Sequence, residues 1–390
     1  MTSILGDISP EQFLKEYWQK RPLLIRGAFS SAQVSGEDAF ISAEELAGYS
    51  LEDDIESRLI EHDGDLWQLE HGPIEESKFA KLDDENWTLL VQSLDYFHPP
   101  LCGLIKACNF IPRWRLDDVM VSYATNGGGV GPHLDKYDVF LIQGEGQRRW
   151  RLGHKNQATT AICPHPQIAQ IEPFDADMDV IVNPGDMLYI PPNTPHWGES
   201  VGNSICYSVG FRAPNIGGIV QKLLQLPQTD LDQLWSDESR LNLASIGGEL
   251  STSMSQWAKQ QLQQLWTSDD YLMAFGKEVT ELKYPDMLEV PDDDQLIDWV
   301  ELALEQGVKA EPLARMTYFK RGGKQNNELW LFINGEWQAM HISLIPIIEK
   351  LNLTYECSAK ELATIDHEVA HSFLSFSIDL GALKPSSFEI

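Results

Sequence analysis

From Val119 to Arg212 the chain is a succession of short runs rich in Val, Ile, Tyr and Phe: VMVSY, YDVFLI, RRWRL, DVIV, DMLYI and ICYSVGF, punctuated by Gly and Pro. β-Branched and aromatic residues suit a pleated, half-buried surface, and the punctuation supplies turns between strands. So many short strands in sequence must pair into a β-sandwich or barrel, because an isolated hairpin cannot persist in water. The expected fold class is therefore mainly β, with helices elsewhere.

Inside this region, GGGVGPHLDKYDVF places His133 and Asp135 two residues apart. On a predicted strand that spacing puts both side chains on one face, where they can meet one metal ion. Further on, PGDMLYIPPNTPHWG runs from a Gly185-Asp186 turn through a strand to Pro191-Pro192 and then His196, which a closed sheet can return to the same interior. Two imidazoles and one carboxylate leave three positions open on an octahedral metal. That suits an Fe(II) oxygenase, since an oxo-acid binding through two atoms and dioxygen must both reach the metal.

A lone HxD arises often by chance, and its plain reading is an ordinary polar strand. Here it does not stand alone. Five residues separate Gly127 from His133 and five separate Gly185 from Pro191, with His196 closing the second segment, so both cupin signatures are present in order. The one departure is Asn193 where a glycine is usual, and Asn tolerates the same left-handed turn. Arg148, in GQRRWRLG on the next predicted strand, lies one hairpin beyond the first two candidate ligands. Strand alternation sends it to the face opposite Arg149, so its guanidinium can grip a carboxylate inside the pocket.

EYWQKRPLLIRGAF, GGGVGPHLDKYDVFLIQGEGQRRWRLG, PGDMLYIPPNTPHWGES and YSVGFRAPN together resemble the bacterial ribosomal oxygenases of the JmjC group, relatives of the nucleolar histidyl hydroxylases of animals. The resemblance covers the first 215 residues, and the remainder follows the family's domain order. It implies a double-stranded β-helix (jelly-roll, cupin/JmjC) domain, with Fe(II) on His133, Asp135 and His196. It further implies 2-oxoglutarate as cosubstrate with O2, held by Arg148 and Ser122. The implied substrate is an arginine of large-subunit ribosomal protein L16, hydroxylated at its β-carbon. The matching substrate pocket would use Asp118, Met120, Tyr137 and Ser208, and a carboxylate beside an aromatic face suits a guanidinium. Cys206 stands where some relatives of that family carry asparagine.

A chain of 390 residues organises two or three domains. The expected division is an oxygenase domain over 1–215, a helical, dimerising domain over 216–290 and a small winged-helix-like α+β domain over 291–390. SMSQWAKQQLQQLW places Met254, Trp257, Ala258, Leu262 and Leu265 on one helical stripe, and its large aromatics suggest self-association as a homodimer. YPDMLEVPDDD at 284–294 reads as a linker; beyond it come a hairpin turning at Asn334-Gly335 and helices at 342–350 and 359–376.

Five cysteines without a CxxC pair read as scattered reduced thiols, and the absence of a leader or membrane span points to the cytoplasm. With 59 acidic residues against 29 Lys plus Arg, the net charge of −30 repels phosphate backbones and anionic lipid, which argues against DNA and membrane partners and favours a basic protein.

Three other readings fit parts of the sequence. A non-catalytic metal-binding cupin scaffold would keep the metal and lose turnover. A histidyl hydroxylase of another ribosomal protein, or a demethylase, would keep the iron chemistry and change the target. His367-Glu-Val-Ala-His371 matches the HExxH pattern of zinc proteases, yet no third ligand follows at the usual position, and the segment reads as a helix packed through Val369, Ala370 and Phe373.

Overall fold

The computed structural model describes residues 4–36, 39–226, 252–264, 266–321 and 327–388. The chain forms two compact units, Met1–Ala213 and Pro214–Glu389. The first begins with a helix at Pro10–Glu16, whose start is set by Ser9, accepting from the Gln12 N–H, and by a proline at the first turn. Strand β1 (Leu23–Ile25) follows after Pro22.

Strands β2 (Ser57–Asp63), β3 (Leu66–His71) and β4 (Trp87–Val91) precede the β-rich region. That region comprises β5 (Leu116–Ala124), β6 (Asp138–Gln143), β7 (Gln147–Leu152), β8 (Ala161–His165), β9 (Ile168–Ile171), β10 (Met178–Val182), β11 (Met187–Ile190), β12 (His196–Val201) and β13 (Ser204–Phe211). An eight-stranded antiparallel sheet runs β1-β11-β6-β13-β5-β4-β2-β3, and a three-stranded one runs β10-β7-β12.

Val139, Leu141, Leu188, Ile190 and Cys206 of the large sheet form one buried cluster with Trp150, Leu152 and Val182 of the small one, which is the jelly-roll layering expected from the sequence. The other face of the large sheet is covered as well. Phe13 of the first helix packs on Phe140 and Tyr189, with ring centroids 5.6 and 5.0 Å away. Strands β6 and β13 are consequently buried along their whole length, which is why apolar residues stand at consecutive positions in them, as at Val139 to Ile142, instead of alternating with exposed polar ones.

In the second unit, helices at Ile216–Leu224, Thr252–Gln264 and Ser268–Thr280 confirm the helical texture. Ala258 and Leu262 of the expected stripe are exposed, while the side chains of Met254, Trp257 and Leu265 lie outside the described residues. The hairpin forms as expected from strands Glu328–Ile333 and Glu336–His341, with positive φ at both Asn334 and Gly335. The expected helix over 359–376 is two helices, Ala359–Leu362 and His367–Asp379.

The expected linker is not a loose connection. Leu282 and Leu288 belong to the same buried cluster as Trp299, Leu331 and Phe373, and Asp292 caps the helix Asp293–Gln306. Burial of one leucine outweighs the polar texture of its neighbours.

Two expectations around the site also change. His133 and Asp135 lie on no regular strand: the segment is extended but makes only a single bridge, His133 to His196. And β6 does not form a hairpin with β7, because the chain crosses between the sheets there: β6 pairs with β11 and β13, β7 with β10 and β12. Cys108, Cys206 and Cys357 are buried, Cys102 is half-buried and Cys163 exposed, all as free thiols. No helix among the described residues is long and apolar enough to cross a membrane.

Candidate metal and cosubstrate site

The loop between β5 and the His133 segment threads between two strands at close quarters. A Cβ on Gly129 would stand 2.4 Å from the Gly198 carbonyl oxygen of β12, so only glycine passes. The backbone then joins β12 at two points. The N–H of Gly127 donates to Ser200 and that of Ser200 to Gly128, both at 3.0 Å; the N–H of His133 donates to His196 and that of His196 to His133, at 3.0 and 3.1 Å. Asn193 takes up the left-handed turn with φ +57°, and its N–H donates to the Asp135 carbonyl at 2.7 Å. Residues 63 apart in sequence are thereby clamped together.

The His133, Asp135 and His196 donor atoms all lie within 4.8 Å of one another. Asp135 Oδ2 is 3.9 Å from His133 Nε2 and 3.4 Å from His196 Nε2. Each ring is oriented from behind: His133 Nδ1 sits 2.9 Å from the Gly131 carbonyl and His196 Nδ1 2.9 Å from that of Thr194. A carbonyl there holds the proton on Nδ1 and turns the Nε2 lone pair toward the shared point, the arrangement that metal-binding histidines need. Burial, with His196 beside it, holds the His133 imidazole down to about 4, so it is neutral near pH 7. Burial raises Asp135, but the hydrogen bond and charge of His196 outweigh it and bring the carboxyl to about 2. A neutral imidazole at His133 and a carboxylate at Asp135 are forms that ligate a metal.

Arg148 is buried on β7, while Arg149 faces outward and pairs with Asp179. Its Nη1 donates to Ser122 Oγ and its Nε to Ser204 Oγ, each at 2.9 Å, and Nη2 donates to the Ser122 carbonyl at 3.0 Å. Burial pushes its pKa down. Among the described residues no carboxylate lies within ion-pair distance of it. A buried guanidinium held only by neutral groups is costly unless an anion joins it, so the residues present fit a carboxylate ligand beside a divalent cation.

Triad and arginine line one cavity of about 520 Å³. Asp118, Met120 and Ser122 alternate on one face of β5, and Ser208 of β13 stands opposite Met120. Tyr137 lines the same space, 46% exposed at its mouth and hydrogen-bonded to Asp135. All nine site residues expected from the sequence thus border one cavity.

Others were missed. Arg58, Ile60, Thr88, Leu90 and Gln92 come from β2 and β4 or just beyond, and Gln167 to Ala169 from the β8–β9 hairpin. Ile60, Leu90 and Ile168 form a buried cluster, so the hairpin is packed on that wall. Strands β2 and β3 mix charge and apolar residues (SRLIEHD, LWQLEH) without clean alternation, which leaves little signal. His367 and His371, by contrast, are exposed on their helix, and no group of three potential metal ligands other than the triad occurs among the described residues.

Gly131 has φ +77°, and a Cβ there would stand 2.2 Å from Gln170 Nε2, an amide that itself donates to Val130 at 2.8 Å. Gly131→Ala should destabilise the fold by about 1–2 kcal/mol from the left-handed backbone alone. It should also weaken Co(II) binding, because the Gly131 carbonyl orients His133. Thermal unfolding and metal titration read the two effects; an unchanged melting temperature would show that the loop relaxes freely.

Residues 103–219 match the JmjC domain family. The chain is 38% identical over 299 residues to the ribosomal protein uL16 3-hydroxylase of Escherichia coli, covering 76% of this chain and 78% of that protein. It belongs to the JmjC ribosomal oxygenases. A second family member, the probable ribosomal oxygenase of Haemophilus influenzae, is 31% identical over 85% of this chain and 82% of its own length. Among solved structures, E. coli YcfD matches with a TM-score of 0.77 at 32% identity, over 97% of this chain and 98% of that one. The same family member in complex with cobalt and 2-oxoglutarate gives 0.74 at 30% identity, over 97% and 98%.

Proposed function

We propose that the chain is an Fe(II)- and 2-oxoglutarate-dependent dioxygenase that hydroxylates the β-carbon of an arginine in ribosomal protein L16 (uL16). The observation that carries this reading is the convergence, on one cavity, of a two-histidine, one-carboxylate donor set and a buried arginine with no carboxylate partner among the described residues. The relatives supply the substrate: the E. coli protein is named for uL16 and for 3-hydroxylation.

Iron, 2-oxoglutarate and O2, when bound, supply the oxidising power for hydroxylating an unactivated carbon. The chain's residues do the rest. His133, Asp135 and His196 would hold the metal, and Arg148, steadied by Ser122, would take the distal carboxylate of the cosubstrate through its planar fork. Asp118 would accept hydrogen bonds from the substrate guanidinium, with Tyr137 as an aromatic face, Met120 as apolar wall and Ser208 as a further polar contact. A carboxylate in this position favours a permanently charged arginine over a histidine that is largely neutral at pH 7.

Incubation with Fe(II), ascorbate, 2-oxoglutarate and the organism's own L16, followed by intact and tandem mass spectrometry, should show a gain of one oxygen on a single arginine. Oxygen on a histidine would point to a histidyl hydroxylase. Succinate formation with no protein product would deny the L16 reading, and no succinate at all would leave a scaffold.

The same reading makes the protein a cytoplasmic homodimer that avoids DNA. Ile216, Val220 and Leu224 support self-association, since all three are exposed on one stripe of the helix Ile216–Leu224. A monomer mass by sedimentation at micromolar concentration would overturn it. The net charge of −30 supports attraction of a basic ribosomal protein, which salt screens over a Debye length of about 8 Å at physiological ionic strength. Raising salt to several hundred millimolar should slow hydroxylation of whole L16 much more than that of a short peptide around the target. Equal sensitivity would confine recognition to the pocket.

A further inference from the structure

Arg58 on β2, Gln92 just beyond β4 and Asp118 on β5 form a line of side chains across three neighbouring strands on the cavity wall. Arg58 Nη2 donates to Gln92 Oε1 at 3.4 Å, and Gln92 Nε2 donates to Asp118 Oδ2 at 2.7 Å. A guanidinium can only donate and a carboxylate only accept, so the two ends dictate which way the Gln92 amide faces. The Ser93 hydroxyl donates to the same Oδ2. It does so from a fully buried, left-handed backbone, φ 52° and ψ 35°, a conformation that a non-glycine residue holds only when its surroundings impose it. Two donors on one carboxylate oxygen, one of them locked by a cation behind it and the other on strained backbone, restrict the rotation of the Asp118 carboxylate.

We propose that Arg58 and Gln92, with Ser93, are positioning residues that set the plane of the Asp118 carboxylate, so that the cavity distinguishes a guanidinium from an ammonium. This rests on the reading of Asp118 as the seat of the substrate arginine. The physical reason lies in the two cations. A guanidinium donates from a rigid planar fork and so needs its plane matched to that of the carboxylate, whereas an ammonium is a compact charge nearly indifferent to that plane. A purely structural role for Gln92 would affect both cations alike.

The test uses full-length protein loaded with Co(II) and 2-oxoglutarate, and two fluorescent L16-derived peptides that differ only in arginine or lysine at the target position. Gln92→Leu should weaken the arginine peptide about tenfold and the lysine peptide less than twofold. Arg58→Met should shift the same ratio in the same direction, and Arg58→Lys, which keeps a donor, should restore most of it. Arg58 is only half-buried, so its variants keep the test open if Gln92→Leu fails to fold. Equal weakening of both peptides in Gln92→Leu or Arg58→Met, or an arginine affinity within twofold of the parent in both, overturns the proposal. If the unaltered protein does not prefer arginine, or Asp118→Asn leaves arginine binding untouched, the reading of Asp118 fails and this inference falls with it.

Discussion

His133→Ala and Asp135→Ala should each yield a folded protein that has lost Fe(II) binding and, with it, both succinate formation and hydroxylation. Altering the groups behind the ligands typically costs 10- to 100-fold in metal affinity or activity, so removing one of three direct ligands should cost at least about a hundredfold. These two positions separate metal loss from unfolding better than His196. The side chains of His133 and Asp135 are about one-fifth exposed, and the bonds tying this segment to β12 are made by the backbone, which survives truncation. His196 is almost wholly buried beside Trp150, so its truncation would also open a cavity. Metal titration with Co(II), circular dichroism and a succinate assay complete the measurement. More than a tenth of normal turnover in both variants would place the metal elsewhere.

Arg148→Ala should raise the 2-oxoglutarate concentration needed for half-maximal turnover by about 10- to 150-fold, the equivalent of about 1.5–3 kcal/mol for a buried charge-assisted pair. Stability without ligand should move the other way from the usual buried-charge deletion. Removing one member of an ion pair strands its partner, whereas Arg148 has no carboxylate partner among the described residues and donates only to two serine hydroxyls and backbone carbonyls. Its deletion takes away a buried charge and leaves groups that remain bonded, since Ser200 and Ser204 already share a hydrogen bond of 2.6 Å. The melting temperature without cosubstrate should therefore hold steady or rise, while the stabilisation that 2-oxoglutarate gives the parent protein disappears. A half-saturation within twofold of the parent would mean that another residue holds the distal carboxylate. A large loss of stability without ligand would mean that Arg148 is a structural cation.

The candidate site was legible to the extent that its chemistry is local. His133 and Asp135 announce themselves by spacing, His196 by the Gly185 to Pro191 signature before it, and Arg148 by its position on a strand that alternates burial residue by residue. The wall opposite was not legible. Gln92 and Ser93 lie between a strand and a turn in a stretch with no motif, and only the pairing of β4 with both β2 and β5 brings Arg58, Gln92 and Asp118 into line. The β8–β9 hairpin is likewise not legible, since its strands are short and the first of them, Ala161–His165, has no buried residue.

By itself the sequence determined the β-rich class of the first unit, the candidate metal and carboxylate ligands, and the turns beside them, because each motif that marks them lies within a dozen positions. Only the tertiary structure decided that the His133–Asp135 segment is an irregular extended loop held by two backbone bonds to His196, and that β6 and β7 part company into different sheets. The same holds for Leu288, which turns a polar, proline-bearing run into part of a core. In each case the deciding contact joins residues distant along the chain, and strand pairing and burial depend on partners that no local pattern encodes.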